Sequence, residues 1–324
     1  MSRRAIALLQ FGGPDSPAAI RPFLRDLFDD PEILAMPAFA RKPLAWTIAR
    51  LRAPAVAKNY AQMPGGASPI GMWTERQAQA LRDALPGVAV EVAMRAGRPS
   101  TADAVAKLLA AGCDEILALP LYPQYSFTTT RSSMTVLVRE LRRQAAGRSV
   151  SLRAIRNWPA HAGYVDATAA TVRRELLQFS APPFVLFNAH GLPKKIVAKG
   201  DPYPVDVRAT VEAVVAALAL PAGRWTLSFQ SRVGYLEWLR PYTEEEIPRL
   251  AKSGVRELLV VPMSFVCDHY ETLYEMRILQ RDIARAAGIE RYVVAGALND
   301  EPLFLAALAD LAREGIADAP VVTS

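Results

Sequence analysis

Residues Asp268, His269 and Glu271 place one imidazole and two carboxylates directly after the strongest strand pattern of the chain, residues 258–267. Imidazole and carboxylate groups accept protons, and both bind ferrous iron and other divalent transition metals. The carboxyl ends of parallel strands are where open α/β sheets bind ligands, so this cluster is a candidate for proton transfer or metal chemistry. The same spacing also fits a helix N-terminus, with Asp268 as N-cap and Glu271 as its partner three residues later. The pattern by itself leaves both interpretations open.

The chain contains three histidines, and two of them, His190 and His269, directly follow predicted buried strands. Strand-end residues from two halves of an α/β protein would face one shared cleft, where ligands bind. His190 and Glu271 together therefore predict a site, whereas His161 lacks this placement and is interpreted as structural. Glu275 follows Glu271 by four residues on the same face of a predicted helix, either as a further site residue or as a solvated charge.

The elements that must position these residues are short apolar strands alternating with amphipathic helices. Runs that lack polar alternation and end in Gly, Pro or turn residues predict buried parallel strands at 5–9, 115–119, 184–187 and 258–261. Apolar residues at three-to-four spacing predict helices at 74–85, 101–111, 165–179, 205–218, 243–253 and 273–287. The alternation of strand and helix predicts a doubly wound α/β architecture.

Two segments with the same spacing, GCDEILALP at residues 112–120 and GVRELLVVP at residues 254–262, form an internal repeat. The repeat predicts two similar halves that meet near residues 156–161. The first half is longer, and its surplus falls best at residues 35–66, where Leu44, Ile48, Leu51 and Ala55 form an apolar helical seam among basic residues. Such a segment is a lid over an apolar ligand, an interfacial membrane contact or, most commonly, a helix that packs on its own domain.

The composition is that of an ordinary globular protein, with 51% apolar and 22% charged residues among 324. The net charge is +6, but the basic residues are spread along the chain, so nucleic-acid binding is not favoured over an anionic small molecule or membrane surface. Only Cys113 and Cys267 are present, too few for a disulfide framework or a four-thiolate iron–sulfur cluster, which predicts a reducing compartment. The first apolar run is too short for a signal peptide or a membrane span.

Several segments occur in a characteristic order along nearly the whole chain. They are LQFGGPD (9–15), FLRDLFDDP (23–31), GASPI (66–70), AMR (93–95), LPLYPQYS (119–126), AHGLP (189–193), GDPY (200–203), QSRVG (230–234), WLRP (238–241) and PMSFVCDHYETLYE (262–275). As an ordered set they resemble the ferrochelatase family, the enzymes that insert ferrous iron into protoporphyrin to make haem.

The resemblance implies an α/β fold of two Rossmann-like domains, each with a parallel sheet flanked by helices, and a porphyrin cleft between them. The domains would span residues 1–158, with a flap insertion at about 35–66, and residues 159–324, whose last helix is free to pack back on the first domain. His190 and Glu271 match the family's catalytic pair, and both are expected to contact the metal. His190 is expected to abstract pyrrole protons or to meet the metal first, and Glu271 to deliver metal or relay protons. Asp268, His269 and Glu275 are expected to support them.

A planar porphyrin also needs apolar walls and a few polar anchors. The resemblance places the substrate-binding residues at Phe11, Arg95, Tyr125, Ser126 and Trp238, with the 35–66 flap as a further wall. Ordinary core packing is the alternative for the aromatic side chains among them.

A few positions depart from the family pattern. Ala96 stands where the family usually has tyrosine, which removes one contact near the cleft, and Asn188 replaces a common serine before His190. Arg277 and Leu279 stand where many relatives continue an acidic helix face, so a long carboxylate conduit for metal is not expected.

The resulting expectation is a ferrochelatase with ferrous iron and protoporphyrin IX as substrates, no permanently bound cofactor, no iron–sulfur cluster and no nucleic-acid partner. It is expected in the cytoplasm, with peripheral contact to the inner face of the membrane through residues 35–66. Two alternatives stay open: a related chelatase for coproporphyrin or another divalent metal, and a non-catalytic porphyrin or metal carrier on the same fold.

Overall fold

The computed structural model describes residues 3–34, 36–145 and 147–322, so residue 35, where the predicted flap begins, lies outside the described residues. The chain divides into two compact units, Met1–Trp158 with Leu305–Ser324, and Pro159–Phe304. Within its described residues each unit contains a four-stranded parallel sheet with helices packed against it. The predicted α/β class with two parallel sheets is therefore confirmed.

The helices and strands are ordered so that each strand is separated from the next by one or more helices. In the first part of the chain they are β1 (Arg4–Gln10), α1 (Ile20–Phe28), α2 (Ala38–Tyr60), α3 (Ile70–Ala84), β2 (Ala89–Met94), α4 (Thr101–Ala110), β3 (Glu115–Pro120), the π-helix Phe127–Arg131, α5 (Ser132–Gln144) and β4 (Ser151–Ala154). They continue with α6 (Ala162–Leu176), β5 (Phe184–His190), α7 (Lys194–Val197), α8 (Tyr203–Leu218), β6 (Trp225–Gln230), α9 (Thr243–Lys252), β7 (Glu257–Pro262), the π-helix Glu271–Gln280, α10 (Arg281–Ala286), β8 (Arg291–Val294) and α11 (Pro302–Asp318).

The two sheets have the same strand order, β2-β1-β3-β4 in one unit and β6-β5-β7-β8 in the other. This common topology agrees with the internal repeat, because β3 and β7 are its two copies. In the second sheet the register of β5 and β6 places His190 beside Gln230 at the carboxyl ends of both strands. The strand β5 also pairs with β7, so residues that follow β5, β6 and β7 emerge at one edge of the sheet.

The four strands predicted from apolar runs are the inner strands β1, β3, β5 and β7. Their side chains are buried on both faces of the sheet, and a continuous apolar run is the pattern that such strands produce. The sequence analysis missed β2, β4, β6 and β8, which lie at the sheet edges. Edge strands are partly exposed and carry polar residues, such as Glu91 in β2 and Arg153 in β4, so their apolar signal is weak.

The predicted helices are all present, with one important difference of type. The segment predicted as a regular helix at 273–287 is a π-helix over Glu271–Gln280 that continues as α10. A π-helix makes i→i+5 hydrogen bonds and is found mostly at functional sites. The apolar periodicity of the segment does not distinguish the two helix types.

The helix α2, which lies within the predicted flap, packs against α1. Packing on its own domain, one of the three alternatives for this segment, is therefore observed. The buried residues of α2 are Ala45, Ala49 and Tyr60, whereas Leu51 of the apolar seam is 74% exposed. Small alanine side chains let two helices approach closely, and this leaves the larger apolar groups on the outside. Phe39, at the start of α2, is 83% exposed.

Candidate active site

The imidazole of His190 and the carboxylate of Glu271 form a hydrogen-bonded pair in the second unit. The distance between His190 Nδ1 and Glu271 Oε2 is 2.8 Å, although the residues are 81 positions apart. His190 is the last residue of β5, and Glu271 opens the π-helix after β7, the neighbouring strand. The His190 side chain is 38% exposed and that of Glu271 is 17% exposed, so the imidazole is the more accessible of the two.

Three donors converge on the same oxygen of Glu271. Oε2 accepts from His190 Nδ1 at 2.8 Å, from Gln230 Nε2 at 3.0 Å and from the hydroxyl of Ser231 at 2.8 Å. An ionised carboxylate only accepts hydrogen bonds, so the His190 proton lies on Nδ1. In the neutral ring, Nε2 is then the basic nitrogen that can take a proton from a substrate.

The electrostatics of the pair favour a protonated imidazole beside an ionised carboxylate. Burial lowers the pKa of His190, but the charge and hydrogen bond of Glu271, with Glu275 nearby, outweigh it and raise that pKa above its ordinary 6.5. Burial raises the pKa of Glu271, but His190 and His269 outweigh it and hold that pKa well below 4.5. The site therefore stabilises a proton that arrives at His190.

Glu275 lies four residues after Glu271 in the same π-helix and, unlike Glu271, is held protonated. Burial, together with the negative charge of Glu271, raises the pKa of Glu275 to about 8. The Ser231 hydroxyl contacts both Glu271 Oε2 and Glu275 Oε2. One hydroxyl carries one proton, so it donates to Glu271 and accepts from a protonated Glu275. Ser231 has a left-handed φ of 64°, a strained conformation that aims its side chain between the two carboxylates.

His269 and Asp268 occupy separate positions around this pair. His269 Nδ1 donates to the carbonyl oxygen of Cys267 at 3.0 Å, and its Nε2 lies 3.8 Å from Glu271 Oε1. The carboxylate of Asp268 accepts from the Thr272 hydroxyl and from the Asn299 amide. The capping alternative for the cluster is wrong, because the π-helix has no side-chain cap and the Glu271 carboxylate bonds to His190 instead.

Two aromatic rings stand edge-on to the His190 ring. Trp238, a predicted substrate-binding residue, has its ring centroid 6.3 Å away, and Phe265 lies at 6.2 Å. Phe265 also lies 4.1 Å from the ring of His269. The sequence analysis missed Phe265 as a site residue, although it lies in the PMSFVCDHYETLYE segment. These rings surround the imidazole with apolar surface.

The backbone of His190 is fixed by two further residues that the sequence analysis did not single out. The His190 amide donates to the Ser264 hydroxyl at 3.1 Å, and the Tyr203 hydroxyl donates to the His190 carbonyl at 2.9 Å. Tyr203 and Ser264 also bond to each other at 2.6 Å. Tyr203 ends the GDPY segment and Ser264 lies in the PMSFVCDHYETLYE segment, and these motifs are the signals that the sequence offered for the two residues.

The other predicted substrate-binding residues belong to the first unit. Arg95 bonds to Asp30 at 2.6 Å and to the Ser132 hydroxyl at 2.7 Å, so its charge is balanced inside the protein. Tyr125 lies under the guanidinium of Arg156, and Ser126 caps the first π-helix by accepting from the Thr128 amide. The remaining residue, Phe11, packs against the core around β1 and β3. Phe11, Arg95 and Tyr125 follow the ends of β1, β2 and β3.

The described residues lack two further features. Among residues 3–34, 36–145 and 147–322, no group of three or more His, Cys, Asp or Glu side chains is arranged to hold a metal ion. In the same part of the chain, no helix is long and apolar enough to cross a membrane.

Comparison with known proteins gives a consistent result. A family profile described as Ferrochelatase matches residues 3–316. The ferrochelatase of Thermosynechococcus vestitus is 44% identical over 98% of this chain and 84% of its own length. The ferrochelatase of Gloeobacter violaceus is 42% identical over 98% of this chain and 98% of its own.

Among solved structures, SirB from Bacillus subtilis with Fe3+ has a similar fold. It matches with a TM-score of 0.56 at 14% identity, covering 76% of this chain and 89% of SirB. At this level of identity the likeness concerns the fold alone.

Proposed function

The chain belongs to the ferrochelatase family, and from this premise we propose that its His190–Glu271 pair inserts ferrous iron into protoporphyrin IX to form haem. The protein is accordingly a metal chelatase of haem biosynthesis. The observation that carries the assignment of the pair is the 2.8 Å hydrogen bond from His190 Nδ1 to Glu271. That bond leaves His190 Nε2 as the basic nitrogen of a side chain that is 38% exposed.

The proton chemistry follows from this arrangement. A porphyrin must lose two pyrrole protons before it holds a divalent ion, so the site needs a base with a near-neutral pKa. His190 takes a pyrrole proton at Nε2, and the ionised Glu271 stabilises the imidazolium through Nδ1. The imidazole is partly exposed, so the first proton leaves it to solvent before the second is taken. The Ser231 hydroxyl donates to Glu271 and accepts from the protonated Glu275, and so helps to keep Glu271 ionised beside the imidazolium.

The iron substrate must exchange water for protein ligands before it enters the porphyrin. Carboxylate and imidazole oxygen and nitrogen atoms suit ferrous iron. Glu271 has one oxygen occupied by three donors, so its other oxygen, Oε1, is the one directed to the metal. His269 Nε2, 3.8 Å from Oε1, is placed to assist.

We propose that the protein holds no permanently bound cofactor and that iron takes part only as a substrate. An iron–sulfur cluster is not part of it either, since the sequence has only Cys113 and Cys267, one in each unit and both buried. A nucleic-acid partner is likewise not part of the proposal.

Membrane contact through α2 is a further part of the proposal, with the protein in the cytoplasm and touching the inner face of the membrane. Its support is the exposure of Phe39, Trp46 and Leu51, together with basic side chains on the same helix. The Arg50 guanidinium lies 5.7 Å from the Trp46 ring. Aromatic and apolar groups beside arginine are suited to the headgroup region of an anionic bilayer.

The activity is tested by anaerobic incubation with ferrous iron and protoporphyrin IX, following the loss of porphyrin fluorescence. We expect turnover by the wild type and a loss of about 10²- to 10⁴-fold in His190→Ala, the usual contribution of a general base. Glu271→Gln should lose a similar factor, whereas His161→Ala serves as the matched control and should keep its activity. Unchanged turnover in His190→Ala would exclude it as the base.

The same assay separates the alternatives. Coproporphyrin and other divalent metals, tested in parallel, identify a related chelatase if either is turned over faster. A wild type that binds protoporphyrin tightly without turnover is a carrier.

Membrane contact is tested by sedimentation with anionic phospholipid vesicles. The double substitution Phe39→Ser and Leu51→Ser should weaken binding, whereas Leu177→Ser, which removes an exposed leucine from the second unit, should not. Equal binding by all three proteins would refute the contact through α2.

A further inference from the structure

A cluster of neutral polar side chains is buried behind Glu271 in the second unit. It consists of Asn188, Ser228, Gln230, Thr243 and Gln280, each at most 4% exposed. Asn188 is one of the residues that depart from the family pattern. Buried amides and hydroxyls are costly unless they are hydrogen-bonded, so each bond in such a cluster constrains the orientation of its partners.

The hydrogen bonds of the cluster form a chain of donors that leads from Thr243 to Glu271. The Thr243 hydroxyl donates to Asn188 Oδ1 at 3.1 Å. Asn188 Nδ2 then donates to Gln230 Oε1 and to Gln280 Oε1, each at 2.8 Å. Gln280 Nε2 adds a second bond to Gln230 Oε1 at 2.7 Å. The oxygen of the Gln230 amide is therefore occupied twice, and its nitrogen is left to donate to Glu271 Oε2 at 3.0 Å.

The opposite orientation of the Gln230 amide is excluded by its neighbours. It would place Nε2 against the Asn188 and Gln280 donors and Oε1 against an ionised carboxylate oxygen. Donors would then face donors at one end of the Gln230 amide and acceptors would face acceptors at the other, which is costly in a buried site. The network thus presents an N–H group to Glu271, and because every member is neutral, this donor is not lost when nearby groups change protonation.

We propose that Gln230, oriented by Asn188, is a positioning residue for iron insertion. It holds Glu271 Oε2 beside His190 Nδ1, so that Oε1 stays directed to the metal. This inference rests on the proposed function of the His190–Glu271 pair. Partners of this kind, one bond removed from a reacting group, typically change metal affinity or activity by 10- to 100-fold when removed, as an order of magnitude.

The test replaces Gln230 with methionine, which has a similar size but no amide donor. We expect Gln230→Met to lower kcat by about 10- to 100-fold, while the KM for protoporphyrin changes less than about twofold. Gln77→Met is the matched control, because Gln77 is an equally buried glutamine in α3 of the other unit. It should lose thermal stability without a loss of kcat. A purely structural role for Gln230 predicts that the two variants behave alike.

A double-mutant cycle tests the role assigned to Asn188 through the coupling between the two residues and not through the size of the loss in either single variant. Asn188→Ser removes the donor that orients Gln230, and should lower kcat in the wild-type background. In the Gln230→Met background it should cause no further loss, because Asn188 acts through Gln230. A Gln230→Met enzyme with wild-type kcat, or fully additive losses in the cycle, would overturn the inference while leaving the proposed function intact. A wild type without turnover would overturn both.

Discussion

Gly191, the residue after His190, is held between two groups that leave no room for a side chain. Its amide donates to the Gln230 carbonyl at 2.9 Å. A Cβ atom at this position would lie 2.8 Å from that carbonyl oxygen and 3.1 Å from Cε3 of Trp238. The substitution Gly191→Ala therefore forces a change in the loop that carries Gln230 and Ser231, both of which donate to Glu271.

The size of the effect follows from the overlap. Ordinary contacts of a Cβ atom begin at 3.4 Å, so the Gln230 carbonyl must retreat by about 0.6 Å. Overpacking of this kind costs about 1 to 3 kcal/mol. For a domain of this size, each kcal/mol lowers Tm by about 2 to 4 °C. A misplacement of 1 Å costs about 100-fold in rate, so a shift of just over half that distance should lower kcat by about 10-fold.

Thermal unfolding and the porphyrin fluorescence assay measure the two effects on one preparation. Gly71→Ala is the matched control, because no heavy atom lies within 4 Å of the added Cβ atom. In the helix α3 this change should be neutral or stabilising by up to about 1 kcal/mol. Gly191→Ala with the Tm and kcat of the wild type would show that the strand ends relax freely, and would refute the reasoning.

Three further predictions concern charge and backbone conformation. Folding raises the pKa of Glu275 from 4.5 to about 8, so the contribution of this side chain to stability falls as the pH rises between those values. The Tm of Glu275→Gln should therefore rise relative to that of the wild type from about pH 5 to 8. A constant difference between those pH values would contradict this. Asp30→Ala leaves the mostly buried Arg95 without its ionic partner and should cost about 3 to 5 kcal/mol in urea unfolding. Asp26→Ala, in an exposed pair, should cost at most about 1 kcal/mol. Ala219→Gly relieves a left-handed φ of 51° after α8 and should stabilise by about 1 kcal/mol, so a lower Tm would count against it.

The accuracy of the sequence-based fold prediction followed burial. Inner strands such as β1 are apolar on both faces because both faces are covered, and this produces a continuous apolar run in the sequence. Edge strands such as β4 are short and partly exposed, and the sequence analysis missed them. The α2 helix shows the converse, since its large apolar residues are exposed and its alanines are buried. An apolar pattern indicates a helix face but not whether another element covers it.

The sequence by itself placed His190 and the Asp268–Glu271 cluster at the ends of two buried strands, β5 and β7, and the ordered motifs identified the ferrochelatase family. Both are local properties of the chain. The expectation that these strand ends come from two halves of the protein is wrong, because β5 and β7 are neighbours in one sheet. Only the tertiary structure decided that Glu271, and not Asp268, bonds to His190, and that Gln230 and Ser231 donate to the same oxygen. These contacts join residues 40 to 81 positions apart. They depend on the register of β5, β6 and β7 and on the π-helical geometry after β7, which no local pattern records.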